Sequence, residues 1–155
     1  MNKDILVIGT GISGLTFAIK VAEENPKTTL TLISKSDIKE GNTRYAQGGI
    51  AVVRNLKKDS TEKHFQDTLV AGDGSCNPKV VKFVVEEANQ RLDELINWGT
   101  SFDKKEKKLD LGIEGGHSES RIVHYKDQTG KQIQEVLTTK VKSFSNITIL
   151  ENHTL

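Results

Sequence analysis

Asp4-Ile5-Leu6-Val7-Ile8-Gly9-Thr10-Gly11-Ile12-Ser13-Gly14, running on into Leu15-Thr16-Phe17-Ala18-Ile19-Lys20-Val21-Ala22, is the stretch that decides the fold. A short apolar, β-branched run meets a G-x-G-x-x-G turn, and the turn opens an amphipathic helix. Gly9 permits the sharp exit from the strand. Gly11 lets the backbone approach a pyrophosphate, and Gly14 lets the helix lie close on the sheet. The helix would aim its free N–H groups and positive dipole end at bound phosphates. Glycine turns are common, and an ordinary βα turn without a ligand is the alternative. The strand before and the helix after are what favour a dinucleotide. Gly9, Thr10, Gly11, Ile12, Ser13 and Gly14 are therefore candidate cofactor contacts in an α/β, Rossmann-like domain with a parallel sheet.

A second strand is expected over Thr29 to Ser34, ending about 20 residues past Gly14, where a ribose-binding carboxylate belongs in an NAD site. Ser34 and Lys35 stand there instead, and Asp37 lies beyond the strand end. A plain NAD site is disfavoured. Lys35 reads equally well as a partner for phosphate charge or as a solvated loop residue.

The bounds around this motif are ordinary. The 155 residues suffice for one domain with a real core. With 22 basic and 21 acidic side chains the net charge is +1, which gives no nucleic-acid footprint. The one cysteine, Cys76, excludes an internal disulfide framework and suits a reducing cytoplasm. No apolar run approaches the roughly 18 residues of a membrane span, and a strand entered at Asp4 leaves no room for a signal peptide. The length looks short for two βαβ halves, so a fragment of a longer protein is expected, incomplete at its C-terminus. Its last strand, Asn146 to Leu150, should then lack the partner that later sequence would supply and leave an exposed edge.

Between these ends the chain reads as follows. Residues 35–49 form a long polar loop that could wrap a cofactor or simply be mobile. A strand follows at Ile50 to Val53. Asp59 caps a helix with Glu62 in a capping box, burying Phe65, Leu69 and Val70, while Asp67 and Thr68 could face a ligand, a solvated face being the default. Asn77 and Pro78 start another helix with an apolar stripe of Val81, Val84, Val85, Ala88, Leu92, Leu95 and Ile96, ended by Gly99. A lysine-tipped hairpin spans Phe102 to Leu111, and a strand spans Arg121 to Tyr125. His117 and His124 lack further ligands, so no metal site is expected. Thr129 and Gln132 cap a last helix that buries Ile133, Val136, Leu137, Val141 and Phe144.

Four segments occur in a telling order: the glycine turn, Ile33-Ser34-Lys35, Ala46-Gln47-Gly48-Gly49 and Asp67-Thr68-Leu69-Val70-Ala71-Gly72. In this the whole chain resembles the flavoprotein family of succinate dehydrogenase, fumarate reductase and L-aspartate oxidase. The resemblance implies FAD, and a Ser-Lys pair where NAD enzymes keep a carboxylate. It adds Ser34, Lys35, Asn42, Thr43, Arg44, Tyr45, Ala46, Gln47, Gly48 and Gly49 to the cofactor contacts. Asn42 stands where the covalent members carry a flavin-bonding histidine, so non-covalent FAD is implied.

The segment Glu114-Gly115-Gly116-His117-Ser118 resembles the aspartate oxidase version, with a carboxylate where dicarboxylate enzymes have an apolar residue. Glu114 would orient a substrate ammonium, its alternative being an exposed loop acid. The resemblance further implies oxidation of L-aspartate to iminoaspartate, oxygen or fumarate as electron acceptor, and an imine that feeds quinolinate synthase and NAD synthesis. The family's catalytic residues, in its capping domain and later segments, have no counterpart among residues 1–155. A fumarate reductase and a non-catalytic nucleotide-binding module are the rival expectations.

Overall fold

The computed structural model describes residues 4–154, which divide into two compact units: residues 4–47 with 130–154, and residues 48–129.

The first unit is built on the expected strand, turn and helix. Strands β1 (Ile5–Ile8) and β2 (Leu30–Ile33) pair in parallel around helix α1 (Ile12–Glu24). The segment expected as one long loop contains a single-turn helix, α2 (Asn42–Tyr45). The last helix and strand of the chain return to this unit and place Ile147–Leu150 beside β2, again in parallel. β2 is therefore the central strand and is buried along its length. Leu15, Ala18, Ile19 and Ala22 of α1 recur at helical spacing and are buried, as are Leu30, Leu32 and Ile38.

The second unit departs from the parallel pattern. Strand β3 (Ile50–Ala51) is shorter than expected, although Val52 and Val53 beyond it are buried. Helix α3 (Thr61–Ala71) is capped by Ser60, whose hydroxyl accepts from the Lys63 amide, not by Asp59. Asp59 is buried. The expected apolar face of α3 is also corrected: His64 is its buried residue, and Val70 is 78% exposed.

Helix α4 (Pro78–Asn97) starts as expected, with the Asn77 side chain accepting from the amides of Lys79 and Val80. It ends at Gly99, whose φ of +110° suits glycine. Only Val85, Leu92 and Leu95 of its stripe are buried; Val84 is exposed. The lysine hairpin is present as β4 (Lys104–Lys105) and β5 (Lys108–Leu109). Strands β6 (Leu111–Gly112) and β7 (Ile122–Val123) complete an antiparallel sheet in the order β3-β7-β6. Val52, Leu92, Phe102 and Val123 form this unit's core.

Back in the first unit, helix α5 (Thr129–Lys142) buries Ile133, Leu137 and Val141. The Thr129 hydroxyl does not make the expected capping box but accepts from the Tyr125 amide. Strand β8 (Ile147–Leu150) pairs only with β2 among the described residues, and β1 likewise pairs only with β2.

Candidate functional site

The turn after β1 has the geometry that a dinucleotide needs. Gly9 has φ +99°, a conformation costly for any side chain. A Cβ on Gly14 would lie 2.1 Å from the Gly9 carbonyl oxygen, so helix and strand meet at a distance only glycine permits. Gly11 occupies the N-cap of α1 in an extended conformation and has no side chain with which to cap it. The Ile12 amide donates to the Thr43 hydroxyl at 3.1 Å. Beyond the Ile12 amide, which Thr43 takes, the first turn of α1 offers backbone donors and a positive dipole end to an anion. The residues thus fit a pyrophosphate.

Thr10 and Ser34 are both buried and joined by a 3.0 Å hydrogen bond, Thr10 Oγ1 to Ser34 Oγ. They tie the ends of β1 and β2 together. Lys35 is exposed beside them. In α2, Asn42 is exposed, and the Tyr45 hydroxyl donates to Glu40 at 2.8 Å, which raises its pKa. The end of α2 docks on α5, where the Gly130 amide donates to the Ala46 carbonyl. A Cβ on Gly130 would sit 1.9 Å from the Thr43 carbonyl oxygen.

One residue missed in the sequence is Gln134. It is 1% exposed, and its amide donates at 2.9 Å to the carbonyls of Thr10 and Ile38, fastening both loops of this unit to α5.

In the second unit, Gly49 packs on β7, with room for no Cβ between it and Val123. Gly48 is exposed. The Glu114 carboxylate lies beside it, 3.6 Å from where a Gly48 Cβ would be. Glu114 opens a turn closed by the His117 amide donating to its carbonyl at 3.2 Å, with Gly116 at φ +85°. Its carboxylate has no hydrogen-bond or ion-pair partner among the described residues and is open to solvent.

Behind this loop lies a charged cluster that the sequence did not disclose. Arg121 is wholly buried. Its Nε and Nη2 donate to Asp59 at 2.9 and 2.7 Å, and its Nη1 donates to Asp67 at 2.5 Å and to His117 Nδ1 at 3.1 Å. The only sequence signal was a cation entering the apolar run Arg121-Ile122-Val123. Burial works against the charged form of Asp67, but the Ser118 amide and the Arg121 guanidinium outweigh it and hold its carboxyl down at about 2. Asp59 is lowered by the same balance of burial against Arg121. His64 is lowered by burial first, then by the nearby Arg121 charge, and its ring lies 5.6 Å from that of His117. No group of three or more metal-ligating side chains could hold a metal among the described residues. No helix among them is long and apolar enough to cross a membrane.

Comparison with known proteins agrees with this geometry. The family described as FAD binding domain matches residues 4–155. L-aspartate oxidase 2-a, chloroplastic, of Nicotiana tabacum is 44% identical over 151 residues, covering 97% of this chain and 23% of that protein. L-aspartate oxidase of Vibrio cholerae is 43% identical over 156 residues, covering 97% of this chain and 28% of that protein. Among solved structures, the E. coli quinol fumarate reductase superposes with a TM-score of 0.92 at 29% identity, covering 98% of this chain and 26% of that one. The chain spans about a quarter of the length of the curated relatives it matches. The family match runs through both units, so the chain belongs to the family of FAD binding domains, and FAD is its dinucleotide.

Proposed function

We propose that this chain is the FAD-binding part of an L-aspartate oxidase, which converts L-aspartate to iminoaspartate and passes the electrons to oxygen or fumarate. The observation that carries the reading is Glu114: an exposed carboxylate, without a partner among the described residues, on a glycine turn beside Gly48. Aspartate differs from succinate by an ammonium, and a carboxylate so placed pairs with that charge. A site organised around such a pair discriminates against substrates lacking the ammonium. Relatives named L-aspartate oxidase at 38–44% identity support the same choice.

The work of this chain is binding and orientation. The first turn of α1, with Gly9, Gly11 and Gly14, receives the pyrophosphate, and the exposed Lys35 adds charge. Asn42, Arg44, Tyr45 and the Ala46–Gly49 stretch contact the rest of the cofactor. Asn42 offers no imidazole for a covalent bond, so the flavin is held non-covalently. When bound, FAD supplies the two-electron acceptor for the amino-acid carbon. Glu114 holds the substrate ammonium. A bacterial-type member would work in the cytoplasm and hand its imine to a quinolinate-forming enzyme, in NAD synthesis.

The test is turnover of L-aspartate by the intact FAD-loaded protein and its Glu114→Gln variant. Loss of a charge-assisted contact should raise the KM for L-aspartate about ten- to hundredfold, with little change for fumarate. A soluble fumarate reductase, the reading favoured by the structural likeness alone, would reduce fumarate, ignore L-aspartate and be indifferent to Glu114.

A further inference from the structure

We propose that Asp67, Ser118 and Arg121 are positioning residues that set the substrate preference of the site by holding the Glu114 turn in place. The inference rests on the role of Glu114 given above.

The turn is short and anchored at both ends. On its N-terminal side, Leu111 and Gly112 pair with Val123 and Ile122 of β7. On its C-terminal side, Ser118 donates twice to Asp67 Oδ2, from its amide and its hydroxyl, each at 2.8 Å. Arg121 donates to the same oxygen and to His117 Nδ1. A guanidinium has no acceptor, so this contact requires a lone pair on His117 Nδ1 and places the ring proton on Nε2. Only Ile113, Glu114, Gly115 and Gly116 lie between the anchors. Two glycines among four residues would wander without them.

Arg121 immediately precedes β7, so the residue that grips the C-terminal anchor is joined covalently to the strand that holds the N-terminal one. Asp59 occupies the other side of its guanidinium and fixes the plane through a bidentate contact. Asp67, on α3, reaches the loop from an element stiffened by its own Ser60 cap. The buried His64 ring lies 5.6 Å from the His117 ring, tilted by 58°. Three elements, β6, β7 and α3, thus determine where one exposed carboxylate stands. Preorganisation of this kind matters most for a charged contact, since a displacement of about 1 Å can cost about a hundredfold.

A KM double-mutant cycle on the intact FAD-loaded protein tests this, using Ser118→Ala and Glu114→Gln with L-aspartate and, separately, fumarate as substrates. Ser118→Ala removes one hydrogen bond from an exposed residue and should raise the KM for L-aspartate about three- to tenfold. The KM for fumarate, which has no ammonium, should stay where it is. In the Glu114→Gln background Ser118→Ala should add nothing. Asp67→Asn should act in the same direction and more strongly; should it fail to fold, Ser118→Ala carries the test. Equal effects on both substrates, additivity with Glu114→Gln, or no effect of Ser118→Ala beside a large effect of Glu114→Gln would each overturn the positioning role and leave Glu114 standing. No effect of Glu114→Gln itself would remove the underlying reading, and this inference with it.

Discussion

At the scale of single residues, the chain separates into positions whose role is local and positions whose role depends on distant partners. Gly14 belongs to the first kind. Any side chain there collides with the Gly9 carbonyl at 2.1 Å. Gly14→Ala should abolish flavin retention, checked by absorbance of the purified protein. Arg121, Asp59 and Asp67 belong to the second. Asp59 followed by Glu62 resembles a capping box, but the neighbouring Ser60 takes the cap because Asp59 is engaged by Arg121, 62 residues away. No local pattern encodes that pairing.

The cluster also predicts a pH response. The ordinary pKa of His64 is 6.5 and burial lowers it, so its contribution to stability is complete above about pH 6.5 and is lost as pH falls through the lowered value. Asp67, lowered from 3.8 to about 2, follows the same sign in stronger acid. Thermal midpoints should decline below pH 6.5, and His64→Leu should flatten that decline. An unchanged slope in His64→Leu would contradict the assignment.

At the scale of elements, periodicity and capping served well where packing was one-sided. The start of α4 was legible because Asn77 and Pro78 act on their own helix. Asn77→Ala should cost roughly 1 kcal/mol, measured by denaturant unfolding. Its stripe was only half legible: Val84 has the right spacing yet is 56% exposed, because spacing reports a face and not what covers it. The lysine hairpin was read correctly, and its turn residues Glu106 and Lys107 have φ of +51° and +67°. These are left-handed conformations that favour glycine, as two-residue hairpins require. Lys107→Gly should therefore stabilise the chain, by about 1 kcal/mol; a loss of stability on substitution would show that the lysine side chain contributes contacts of its own. The short α2 was hidden in a polar loop, since one helical turn has no period to detect.

At the scale of the whole molecule, the parallel sheet was foreseen and the antiparallel second unit was not. Residues 48–129 enter between β2 and α5, and their strands are two residues long, below the length at which alternation can be seen. In the first unit, Leu6 and Ile8 of β1 are 53% and 68% exposed, and β1 and β8 each pair on one side only among the described residues. Apolar residues on an open strand invite pairing with another chain. The 155-residue chain by itself should associate as its concentration rises, and light scattering showing a clean monomer throughout would contradict this.

The most direct measurement of the central claim is anaerobic mixing of the intact flavin-loaded protein with L-aspartate, following the yellow flavin absorbance. Rapid bleaching by L-aspartate, with succinate leaving the colour unchanged, is the predicted result. Bleaching by succinate alone, or by neither substrate, would contradict it.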